Sequence, residues 1–186
     1  MRWLKQALQD FRNQDTGSVV AEAVIALPLL IWAYLGLYVY WDAFRAVNLA
    51  QKASYTVADY ISRERGTLST TEISGLAKVF QYMMDSDQDT RMRITSLYWN
   101  PTTKRFEVYW SRSPNNTMTP LTTTTLQSVK DRIPSMADGD TAILLETETS
   151  YSAAFDVGIA DQVFNNFIIT RPRFLTRICI TGEACS

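Results

Sequence analysis

The chain has 186 residues, with 18 Lys and Arg against 19 Asp and Glu, a net charge of −1 and no histidine. A balanced charge leaves no electrostatic footprint for nucleic acid. Without histidine the Ser-His-Asp and Cys-His catalytic arrangements are impossible, and no glycine pattern for cradling phosphate occurs.

The first element is apolar. From Ala23 to Trp41 none of the nineteen residues is charged. At ~1.5 Å per residue they span roughly 29 Å, close to the ~30 Å hydrocarbon thickness of a bilayer. Tyr34, Tyr38, Tyr40 and Trp41 gather toward its far end, where rings with polar tips favour the interface. The stretch is too long for a cleavable secretory signal and lacks the small-residue site after it, so it reads as a retained anchor. Arg2, Lys5 and Arg12 precede the span while Arg45 and Lys52 follow it, which leans toward a cytoplasmic N-terminus.

Glu22 stands at the entrance of this span, five residues after Gly17. Two readings are open. One is a carboxyl that reaches back to the headgroups. The other is function, the default for ionisable groups inside spans. A cut after Gly17 would make Ser18 the first residue and place a new α-amine at membrane depth. Glu22 could then pair with the amine of a neighbouring subunit, so that neither charge is desolvated alone.

Helix should continue beyond the membrane through "WDAFRAVNLAQKASYTVADYISRE", which lacks proline and glycine. Val47, Ala50, Ala53, Val57, Tyr60 and Ile61 recur at helical spacing, and Gly66 is the expected stop. Ser69 followed by Glu72 forms a capping-box pattern for a second helix, with Ile73, Leu76, Phe80 and Met83 on one face. In the following turn Asp85, Asp87 and Asp89 imitate the first ligands of a calcium loop. Thr90 replaces the required glycine and Ser96 the twelfth-position glutamate, so a solvated turn is the better account.

Strands come next. "RMRITSLYW" and "RFEVYWSR" predict an antiparallel hairpin around "NPTTK", with Met92 and Ile94 on one side and with Phe106, Val108 and Trp110 sharing a face. Residues 113–125 read as an exposed loop leading into a short helix, "LQSVKDRI". "TAILLETETSY" gives a third strand, with Ile143 and Leu145 facing one way and Leu144, Glu146 and Glu148 the other. The two glutamates fit a solvated strand face better than a catalytic pair. "NNFIITR" is a fourth strand, placed at an edge by Pro172. The expected fold is α+β, with a long N-terminal helix packed on a small antiparallel sheet with short helices.

Cys179 and Cys185 are the only cysteines. A pair with no histidine is a poor zinc site. A small disulfide loop is the better reading, and two separate buried thiols the alternative; the disulfide would place residues 43–186 outside the cytoplasm.

A short polar leader, a glycine, four residues, a glutamate and an apolar helix, present as "RNQDTGSVVAEAVIALPLL", resemble the class III signal of type IV pilin-like proteins. Pro28 followed by leucines narrows the resemblance to TadE- and TadG-type minor pilins (pseudopilins) of the tight-adherence, or Flp, pilus system. "ASYTVADYISRE", "RITSLY", "EVYWSR", "AILLETETSY" and "IITRPRFLTRICI" are similar to the body of such chains. Ala23 departs from the aromatic that often follows the glutamate. Ser18 departs from the phenylalanine of conventional type IV pilins and fits the tight-adherence branch.

The resemblance implies a leader over 1–17, cleavage by a prepilin peptidase between Gly17 and Ser18, and an assembly role for Glu22. A transmembrane helix over 18–41, kinked at Pro28, a helix extension over 42–66 and an extracytoplasmic head over 67–186 would follow. The chain would be a structural minor pilin of the bacterial inner membrane and not an enzyme, with no cofactor. Its partners would be other pilins and minor pilins, the peptidase, the inner-membrane assembly machinery and lipid. The alternative is an uncleaved, bitopic scaffold of a pilus assembly or secretion complex.

Overall fold

The computed structural model describes residues 16–84 and 89–183. Its main elements are helix α1 (Thr16–Ser62), helix α2 (Thr70–Met83), strand β1 (Thr90–Asn100), strand β2 (Arg105–Arg112), the short helix α3 (Thr123–Leu126), strand β3 (Thr141–Tyr151) and strand β4 (Gln162–Thr170). A 3-10 segment over Gln127–Arg132 continues α3. The fold is α+β: among the described residues one antiparallel sheet forms, in the order β2-β1-β3-β4. The chain divides into two compact units, Met1–Asp42 with Ala153–Ile159, and Ala43–Ser152 with Ala160–Ser186.

In the second unit, α1 presents Ala50, Ala53, Val57, Ala58 and Ile61 to the core, all at most 2% exposed. The alanines keep the helix backbone close to the strands. Ser54 uses that closeness: its hydroxyl bonds the Ala50 carbonyl and the Thr147 hydroxyl of β3, each at 2.7 Å. Tyr60, expected on this face, is instead 52% exposed. The helix also stops earlier than expected, at Ser62 and not at Gly66. The last turn tightens, with the Glu64 amide donating to the Ile61 carbonyl, and beyond it Glu64 Oε1 accepts the Arg65 and Gly66 amides at 2.9 and 3.2 Å.

Helix α2 begins where the capping box predicts. The Glu72 amide donates to Ser69 Oγ at 3.1 Å, and the Ser69 amide donates to Glu72 Oε2 at 2.6 Å. Ile73, Leu76 and Phe80 are buried in the same cluster as Met92, Ile94, Ile143, Leu145 and Ile168. Leu68 forms a parallel bridge with Ile180, and Trp110 Nε1 donates to the Ile178 carbonyl at 2.9 Å, so the C-terminal strap closes this layer.

The hairpin differs from expectation at one residue. Ser96 pairs with Trp110 but Leu97 pairs with Val108, so Tyr109 is an extra residue in β2. Such a bulge reverses which side the following residues face. Phe106 and Val108 therefore join a second cluster with Leu97, Ala142 and Leu144, whereas Trp110 joins the helix-side core.

The second sheet face is not bare. Residues 113–125 are largely exposed, as expected, with Ser113 and Pro114 buried, and Leu121 together with Leu126, Val129 and Ile133 of the following segment belongs to that second cluster. Hydroxyls tie the segment to β2: the Val108 amide donates to Thr123 Oγ1 at 3.1 Å, and the Leu121 amide donates to Ser111 Oγ of β2 at 2.9 Å. At the opposite edge β4 starts at Gln162, earlier than expected, and ends two residues before Pro172.

Candidate functional site

Among the described residues one helix is long and apolar enough to cross a membrane, and none of its most apolar stretch is buried. Exposed side chains point to all sides of it: Val24, Ile25, Leu29, Leu30, Trp32 and Leu37 are each more than 60% exposed. A helix apolar all round has no place in water and needs lipid or protein about it. Pro28 lies inside the helix, which runs on through it. Glu22 is exposed near the start of this surface. Gly17 and Ser18 are already helical, since α1 begins at Thr16. Ser18 and Glu22 are four residues apart, so they share a helix face, ~6 Å apart along the axis.

The other site residues sit in the second unit. Cys179 is disulfide-bonded, and the chain's other cysteine, Cys185, lies outside the described residues. Asp85 and Asp87 also lie outside them, whereas Asp89 accepts from the Arg91 guanidinium at 3.1–3.2 Å. No cluster of three or more metal-ligating side chains occurs among the described residues.

The solvated-face reading holds for Glu148, whose side chain is 35% exposed, but not for Glu146. The register sets them across β1 from Arg93 and Arg91. Glu146 meets Arg93 at 2.7 Å with both side chains less than 15% exposed, and Glu148 lies 3.9 Å from Arg91. The Glu146–Arg93 pair suits a brace between strands, whereas the Arg91 guanidinium beside Glu148 is hydrogen-bonded to Asp89.

The sequence reading missed a network at the hairpin turn. Tyr98 donates its hydroxyl to Glu107 Oε2 at 2.6 Å, while Thr103 Oγ1 and Arg105 Nε donate to Oε1 at 2.9 and 3.1 Å. The Tyr98 bond foremost, then Asn100, Thr103 and Arg105, bring the Glu107 carboxyl down from 4.5 to about 2. The same bond pushes the Tyr98 phenol up. An acid held ionised beside a phenol held neutral is a poor acid–base pair near neutral pH. Tyr98 also stacks on Tyr109, the bulge residue, with ring centres 4.3 Å apart. Tyr98 and Glu107 are direct cross-strand partners, so completing the hairpin register would have revealed the contact.

Comparison with protein-family models, with curated proteins and with solved structures finds no match to this chain.

Proposed function

We propose that this chain is a membrane-anchored minor pilin of the TadE-like kind, a structural subunit in the assembly of a tight-adherence pilus. The observation that carries the reading is the double character of α1. One 47-residue helix is apolar and exposed on all sides in its first part and forms core with an α+β sheet in its last part. The first part needs lipid before assembly and can exchange it for the same segment of other subunits.

On this reading residues 1–17 are a cytoplasmic leader that a prepilin peptidase removes, and the head lies in the periplasm. An oxidising compartment agrees with the disulfide at Cys179. Processing frees the Ser18 amine, and Glu22 of a neighbouring subunit answers it. Two charges that are costly apart in a low-dielectric bundle then neutralise one another and set the register between helices. The chain's chemistry is done on it by the peptidase; its own work is packing.

Intact mass of protein extracted from membranes of a host carrying the matching peptidase tests this. Loss of residues 1–17, abolished by Gly17→Arg, is the expected result. A full-length mature chain would reject processing and leave an uncleaved bitopic scaffold as the reading.

A further inference from the structure

The connection between β3 and β4 runs over ten residues, Ser152 to Asp161, and its composition is unusual for a surface loop. From Ala153 to Ala160 only Asp156 is charged, and Phe155, Val157 and Ile159 alternate along it. Polar residues normally occupy such connections because they face water. The base is closed by Ser152 Oγ donating to Asp161 Oδ1 at 2.8 Å, and the tip is turned by the Val157 amide donating to the Phe155 carbonyl at 3.1 Å. Phe155 nonetheless leaves 44% of its surface exposed.

The loop belongs to the same compact unit as the apolar part of α1. Phe155 meets Tyr38 of that helix edge to face, with ring centres 6.2 Å apart at 68°. Tyr38 lies three residues before Trp41, the last residue of the uncharged stretch, hence ~4.5 Å along the axis inside that end. Segments that rest in a membrane interface sink their apolar side roughly 5–10 Å into the boundary between headgroups and acyl chains. Phe155 is therefore held at that level by its contact with the helix.

We propose that the β3–β4 loop is a second membrane contact, in which Phe155, Val157 and Ile159 enter the interfacial layer of the bilayer at the Trp41 end of the span. The proposal rests on the reading of Ala23–Trp41 as a span. Asp156 is exposed and stays in headgroup water. The occupant is lipid and not a protein groove because the ring beside Phe155 belongs to the uncharged stretch of the helix, where Val39 is buried but Leu37, Tyr40 and Trp41 stay 59–71% exposed.

Nitroxide accessibility in the full chain, reconstituted in phosphatidylcholine bilayers with its disulfide intact, tests the proposal. Labels go on Phe155→Cys and on Ala154→Cys, the latter keeping Phe155 in place. Leu30→Cys serves as the reference for lipid and Thr102→Cys, in the exposed hairpin turn, as the reference for water. The oxygen-to-nickel-chelate collision ratio at both loop positions should stand several-fold above that at Thr102 and below that at Leu30. A loop ratio equal to that at Thr102 overturns the proposal while a lipid-like Leu30 keeps the span. Low collision with both reagents means packing against protein and also overturns it. A water-like Leu30 rejects the span, and the proposal with it.

Discussion

The two ends of α1 are made from similar residues and have opposite fates. Between Val19 and Ile31, valines, leucines and isoleucines stand more than half exposed; between Ala50 and Ile61, the core-facing side is at most 2% exposed. The difference lies in how much of the helix surface is apolar and how it is arranged. The later part confines its apolar residues to a stripe and gives Gln51, Lys52 and Thr56 to water, whereas the earlier part has no polar face to give. A stripe specifies a sheet as partner. A uniform apolar surface asks only for a medium or for copies of itself.

The contrast breaks most strongly by truncating the buried side. Ile61 is fully buried, so Ile61→Ala should cost the head about 2–5 kcal/mol through lost transfer energy and a residual cavity. Leu30→Ala, at a site 68% exposed, should leave head stability unchanged. Denaturant unfolding of the detergent-solubilised chain, followed by tryptophan fluorescence, checks both. Equal losses would mean the two ends are not energetically distinct.

A charge should reverse the ranking. Leu30→Arg places a guanidinium near mid-span, at an insertion cost of about 3 kcal/mol, and should shift the chain from the carbonate-resistant membrane fraction to the soluble or degraded one. Gln51→Arg, on the exposed side of the later part, should fractionate like the parent. If Leu30→Arg remains membrane-embedded, lipid is not the medium around that segment.

A smaller effect separates how the head holds its acids. Glu107 is fixed by partners on its own chain, and its carboxyl lies at about 2 in the folded head against 4.5 ordinarily. A depressed folded value means a contribution fully present above about 4.5 and lost as pH falls through about 2. Tyr98→Phe removes the leading cause and should move the Glu107 carboxyl back toward 4.5, read by carboxyl carbon NMR titration. An unchanged titration would show that the phenol is not what holds it.

What the sequence made legible follows from the range of each signal. Ser69 and Glu72 are three residues apart, and the α2 start could be read directly. The apolar run before Trp41 and the helical stripe after Val47 are equally local. Arg93 and Glu146 are 53 residues apart, so their ion pair depends on register across β1 and β3. The bulge at Tyr109 leaves no mark in the alternation of β2 itself; only the partner strand shows the skipped position. Residues 113–125 read as a polar loop and are largely exposed, but composition does not show that Thr123 Oγ1 accepts the Val108 amide of β2. On the proposed reading, Gly17, Ser18 and Glu22 act through a peptidase and neighbouring subunits, which one chain does not contain.

On the proposed reading the apolar part of α1 packs with other subunits through Glu22, and crosslinking in a deletion strain tests this most directly. Glu22→Ala makes the segment more apolar, so insertion should be unharmed. The variant should accumulate as a cleaved, folded membrane protein that loses crosslinks to neighbouring pilins and surface pili, with partial recovery in Glu22→Asp. An alanine variant that crosslinks and assembles like the parent would contradict the pairing mechanism and reduce Glu22 to a carboxyl tolerated at the membrane edge.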